Sequence, residues 1–117
     1  MKFFLPRRHK QAYKKYKETA RVLVKKRLEF FNEHYRLKYV RVAIKNHKRR
    51  WGSCSSKKNL NFNYRLIFLP PELRDYVIIH KLCHIREFNH SGKFWSAVAE
   101  TAPEYKALRA KLRGNNM

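Results

Sequence analysis

The residues best placed to do chemistry in this chain lie in HKLCHIREFNH, positions 80 to 90. On a helix, residues four apart share a face, so the imidazoles of His80 and His84 can converge on one ion. A helix that stops soon afterwards lets the chain turn back and deliver His90. Three neutral imidazoles with water in the fourth position make a zinc site with an open coordination position, the kind a hydrolase uses. The spacing H-x3-H-x5-H is moderately specific, and the alternative is an accidental surface pair in a chain with 6 histidines. His9, His34 and His47 have no such arrangement and read as surface residues. Position 81, where a hydrolytic site wants a carboxylate, holds a lysine.

The elements that must position these residues can be read from periodicity. From about 10 to 35 the apolar residues Tyr13, Tyr16, Ala20, Leu23, Val24, Leu28, Phe31 and Tyr35 recur at steps of three and four, with cations between them: an amphipathic, basic helix. A sheet is expected over about 39–69. YVRVAIK (39–45) alternates like a strand with one buried face, and LNFNYRLIFLP (60–70) begins with the same alternation, so a hairpin joined by the polar loop 46–59 is the predicted pairing. Pro70 and Pro71 close the second strand and open a metal-site helix over about 71–88, with Glu72 and Asp75 near its positive end. Asn89 and Ser91 shape the turn that presents His90, with Ser91 as cap. C-terminal helices over about 91–113 follow, broken at Pro103 and ending at Gly114. Helix, hairpin or small antiparallel sheet, then helices describe an α+β class. Residues 1–117 suit one domain with a modest core.

The net charge of +21 is unevenly spread: residues 1–50 hold 18 Lys/Arg against 3 Asp/Glu, and residues 51–117 hold 11 against 5. Such a field attracts polyanions, and residues 7–50 supply phosphate-contact candidates in Lys25, Lys26, Arg27, Lys48, Arg49 and Arg50. A solvated basic face accounts for the same residues equally well. No apolar run is long enough for a transmembrane segment, and the start MKFFLPRRHK is far short of a secretory signal core. Cys54 and Cys83 read as reduced thiols, which fits a cytoplasmic protein.

Three stretches, RWGSCSSKKNLNFNYRLIFLP (50–70), PPELRDYVIIHKLCHIREFNHSGKFW (70–95) and the spacing between them, resemble the YgjP-like metallopeptidases, relatives of the SprT-like zinc proteases. The resemblance covers about residues 39–95. It implies a minimal zincin-like fold, one zinc ion held by His80, His84 and His90, and a peptide or protein substrate whose amide bond a metal-activated water attacks. Where the family's helix motif looks like H-E-L-C-H, this chain has Lys81. That glutamate takes the proton from water and passes it to the leaving amine; an ammonium cannot. A lysine neutralised by the dication and by burial would be an alternative base. A lysine swung outward into water would leave the metal site intact without one. The expectation is an impaired or inactive peptidase, with a nucleic-acid-associated binding protein as the competing reading.

Cys83 reads as a small core residue. Cys54, in WGSCS, reads as structural or substrate-lining rather than nucleophilic. Trp51 and Trp95 are expected to anchor the core, although Trp51 beside Arg49 and Arg50 could also stack on a base.

Overall fold

The computed structural model describes residues 10–114, so His9 and the basic residues Arg7 and Arg8 lie outside the described residues. Helix α1 (Lys10–Tyr35) turns its apolar stripe inward, burying Ala12, Ala20, Val24, Leu28 and Tyr35. It ends because Arg36 takes a left-handed conformation (φ 53°). That conformation costs a non-glycine residue about 1–2 kcal/mol. Asn32 offsets the cost by bracketing Leu37, its amide donating to the carbonyl (2.8 Å) and its oxygen accepting from the N–H (2.9 Å). The bracket aims the chain into the first strand.

The strands are β1 (Arg41–Lys45), β2 (Gly52–Cys54) and β3 (Asn59–Asn63), in the order β1-β3-β2. The α+β class therefore stands, but the strand pairing differs from the expected hairpin: β1 runs parallel to β3, from Arg41 opposite Asn59 to Lys45 opposite Asn63. The antiparallel partner of β3 is β2, a strand of 3 residues lying inside the predicted loop. A tight turn decides the matter. Ser55 donates its N–H to the Asn59 carbonyl (3.0 Å), its own carbonyl accepts from Lys58 (2.9 Å), and its hydroxyl accepts from the N–H groups of Lys57 and Asn59. With β2 folded onto one edge of β3, β1 is left with the other edge, and residues 46–51 cross over to reach β2. The second predicted strand is also shorter than expected. Asn63 caps a 3-10 turn, Tyr64–Phe68, by accepting from the Arg65 N–H (3.0 Å), so the apolar run to Leu69 packs as a turn against α1.

Helix α2 (Pro71–Arg86) buries Leu73, Tyr76, Val77, Ile78, Ile79, Leu82 and Cys83, residues that point to nearly every side. Such a helix belongs at the centre of a core. The helices α1, α3 (Gly92–Thr101) and α4 (Tyr105–Arg113) and strand β2 pack around it. Ser91 caps α3 as expected, accepting from the Phe94 N–H (3.3 Å). The end of α1 is tied to α3 by the Tyr35 hydroxyl, which donates to the Ala97 carbonyl (2.6 Å) and meets Thr101 Oγ1 (2.7 Å). Both cysteines are free, Cys83 buried and Cys54 half-exposed. No helix among the described residues is long and apolar enough to cross a membrane.

Candidate metal centre

His80 and His84 lie one turn apart on α2, and the chain leaves that helix at Glu87. The short link 87–91 folds back so that His90 faces them. One ligand atom from each of the three rings lies within 4.8 Å of the others, and His84 Nε2 and His90 Nε2 are 3.0 Å apart. Nitrogens bound to one tetrahedral zinc at 2.0–2.1 Å lie about 3.3 Å from each other, so this separation suits a shared ion. Two buried ring nitrogens, Nδ1 of His80 and of His84, find no hydrogen-bond partner. A donor set of neutral imidazoles is what zinc accepts, and these three residues could hold a metal ion.

The local packing holds the rings in place and keeps them neutral. Phe94, fully buried, stacks on His84 (centroids 4.5 Å) and meets the edge of His80 (5.0 Å); Trp95 stands 5.8 Å from His80 and 5.6 Å from His90. Trp95 is itself stacked on Tyr105 (5.0 Å), which places it between the site and α4 rather than wholly in the core. Burial pushes His80 down to about 2, reinforced by Lys81, His84, His90 and Arg109. Burial first and Lys81 second also lower His84 and His90. The charges acting most strongly on the three rings are thus cationic.

Lys81 does not swing outward into water. It is half-buried against β2, where Gly52 has no side chain to obstruct it: a Cβ added to Gly52 would sit 3.5 Å from Lys81 Cγ and 2.8 Å from the Asn61 carbonyl oxygen. Burial lowers the Lys81 pKa from its ordinary value, with Cys54 opposing and Arg50 adding to the effect. Cys54 therefore lies near the site, as its loop position suggested, and burial raises its thiol pKa, which does not favour a thiolate.

The other sequence candidates separate. Lys25, Lys26, Lys48, Arg49 and Arg50 are exposed. Arg27 is not a free phosphate contact: its Nε and Nη2 donate to the two oxygens of Asp75 (3.2 and 3.0 Å), and its guanidinium lies over Phe30 (4.6 Å). His34 is an exposed residue, 2.8 Å from Glu100. His47 departs from the surface reading. It is half-buried, its Nε2 is enclosed without a partner, and burial lowers its pKa.

Three contributors escaped the sequence reading. Asn63 is fully buried, and its amide donates to the carbonyls of His47 and Arg50 (both 2.9 Å), pinning the crossover that leads into β2. Only its polarity within a strand pattern hinted at this. Arg109 and Arg113 of α4 come round to α2 and line a cavity there with Arg50 and Lys81. No local signal marks them.

A profile of the YgjP-like family, metallopeptidase domain, matches residues 5–115. The chain belongs to the YgjP-like metallopeptidase family. The crystal structure of the metallopeptidase zymogen abylysin of Pyrococcus abyssi resembles this fold with a TM-score of 0.70 at 22% identity, over 80% of this chain and 98% of that one. That of jannalysin, the metallopeptidase zymogen of Methanocaldococcus jannaschii, does so with a TM-score of 0.68 at 24% identity, over 78% and 94%. At these identities the likeness is one of fold. No curated protein matches the chain. Membership of the YgjP-like family brings with it a divalent metal, typically zinc, and a protein or peptide substrate.

Proposed function

We infer that this chain is a zinc-binding peptidase-type protein, a single unit over residues 1–117, whose hydrolytic step is impaired at Lys81. The observation that carries this reading is the gathering of His80, His84 and His90 within 4.8 Å, with Lys81 half-buried beside them. The three imidazoles hold one zinc ion, and burial keeps them in the neutral form that ligation requires. Zinc, when bound at such a site, supplies a Lewis acid for a carbonyl oxygen and lowers the pKa of water. Strand β2, at the sheet edge beside α2, offers backbone groups with which an extended peptide pairs. As an ammonium, Lys81 Nζ cannot accept a proton from water, and it stands where the family motif has its general base. Loss of a general base costs about 10²–10⁴-fold in rate, and a cation beside the ligands also weakens the metal.

Metal analysis of the purified protein should give zinc near one equivalent. Restoring the carboxylate with Lys81→Glu should raise cleavage of an unstructured peptide by about 10²–10⁴-fold, abolished by chelator. A zinc-loaded Lys81→Glu protein without chelator-sensitive cleavage would sink the peptidase assignment. A nucleic-acid-associated role is the second reading, favoured by the exposure of Lys25, Lys26, Lys48, Arg49 and Arg50. It requires affinity for a random oligonucleotide that falls steeply with salt.

A further inference from the structure

A cavity of about 300 Å³ opens beside His80, between the loop entering β2, the part of α2 that carries Tyr76, Val77 and Lys81, and α4. Arg50, Lys81, Arg109 and Arg113 line it, and no residue of its lining is acidic. Elsewhere in the described structure Arg21, Arg27, Arg74 and Arg86 each meet a carboxylate. The four cavity cations are in none of the ion pairs among the described residues.

These four come from three separate elements, and contacts other than ion pairs position Arg109, Lys81 and the backbone of Arg50. The Arg109 guanidinium rests over Trp95 (5.1 Å). The Arg50 carbonyl is fixed by the buried Asn63 amide (2.9 Å). The Lys81 stem lies over Gly52. Like charges held around a concave space repel one another, and an anion entering it relieves that repulsion. The cavity is at the small end of ligand sites, fit for one or two side chains rather than a duplex. Arginine forks match the planar, two-oxygen geometry of a carboxylate, and Trp51 and Tyr76 supply apolar wall for the carbon chain behind it.

His80 belongs both to this lining and to the imidazole cluster. A group bound in the cavity therefore lies close to whatever bond is presented at the histidines. We propose that the cavity takes a peptide carboxylate, an aspartate or glutamate side chain or a chain terminus, next to that bond, so that acidic peptides are this protein's favoured ligands. The proposal deepens the peptidase reading and rests on it for the neighbouring bond. A peptide fits better than a nucleic acid because β2 brings an edge strand to the cavity through Gly52, and because Lys25, Lys26, Lys48 and Arg49 lie outside the lining.

The test is fluorescence anisotropy with the full chain, with and without one equivalent of zinc. The probes are labelled decapeptides of neutral sequence carrying one central Glu or Gln, each as free acid and as C-terminal amide. The amidated Glu peptide should bind about tenfold tighter than the amidated Gln peptide. If the terminus is the source, both free acids bind alike and amidation weakens both by a similar factor. Arg109→Gln and Arg113→Gln should each cut the carboxylate preference at least about threefold. The double variant Lys10→Gln/Lys14→Gln, which loses more charge at exposed positions away from the cavity, should keep it. Arg50→Gln replaces either arginine variant if circular dichroism shows that one unfolded. Equal binding of all four peptides would overturn the proposal, as would loss of preference in the lysine control. It also fails if a short oligothymidylate loses affinity on Arg109→Gln while the carboxylate makes no difference, since the cavity would then be a phosphate site. Preference that persists in protein unable to hold zinc keeps the cavity assignment and removes the metal reading; zinc binding without preference does the reverse.

Discussion

Two half-buried cations at different faces of α2 show how differently one chain treats the same kind of charge. At the junction of α1 and α2, Arg27 is 29% exposed and is answered by both oxygens of Asp75, which is 19% exposed and also accepts from Arg74. On the face toward β2, Lys81 is half-buried with three arginines sharing its cavity and no carboxylate in the lining. The first arrangement joins two helices, and its charges cancel locally. The second leaves charge uncompensated beside three neutral imidazoles, an arrangement that does nothing for folding and so points to a ligand.

The sharpest way to break the comparison is to reverse the sign at position 81. If Lys81 stands where the general base belongs, Lys81→Glu should give the gain of about 10²–10⁴-fold in chelator-sensitive cleavage set out above. It should also tighten zinc, read as a lower zinc concentration needed to raise the melting temperature. An equivalent change at the paired site should produce no activity.

The next largest effect concerns the residue that holds one wall of the cavity. Asn63→Ala removes the two bonds from its amide to the His47 and Arg50 carbonyls and the cap on Arg65. It should cost about 2 kcal/mol, because the fully buried amide gives up both of these bonds and the cap together, and denaturant titration measures it. If it costs as little as a surface substitution, the crossover is not pinned as described.

Much of this was legible in the sequence, and the parts that were not share a cause. The four helices followed from apolar period, from the prolines at 70, 71 and 103, and from the Ser91 cap, all of them local signals. The histidine cluster was equally local, since a helix places His80 beside His84 and a short turn returns His90. The parallel pairing of β1 with β3 was hidden because β2, Gly-Ser-Cys, is too short to show any alternation. The partner of Arg27, the burial of Lys81 against Gly52 and the arrival of Arg109 and Arg113 are all contacts between elements distant in the chain. Periodicity carries no information about them.

Asp75→Asn tests the paired half of the comparison. It keeps the shape and removes the charge that answers Arg27 and Arg74, and should cost about 2 kcal/mol by thermal or denaturant unfolding. The figure sits below that for a fully buried pair because both partners retain some solvent contact. Replacing both residues, Arg27→Met with Asp75→Leu, should recover most of the loss if the pair is architectural, since apolar packing can substitute for a satisfied ion pair. A double variant as damaged as the single one would mean that Arg27 does something at this junction besides meet Asp75.

The smallest effect is the most discriminating. Lys81→Met keeps the carbon stem that lies over Gly52 and deletes the ammonium, so packing is nearly conserved while an uncompensated charge is removed. In metal-free protein at neutral pH it should therefore stabilise the fold, by about 1 kcal/mol, whereas removing charge at Asp75 destabilises it. The opposite signs follow from the surroundings alone: one charge has a partner to strand, the other has only like-charged neighbours to relieve. The gain should shrink as salt rises, because the repulsion from Arg50 is screened. A destabilised Lys81→Met protein would show that the ammonium is satisfied within the fold, and would return Lys81 to the same structural class as Arg27.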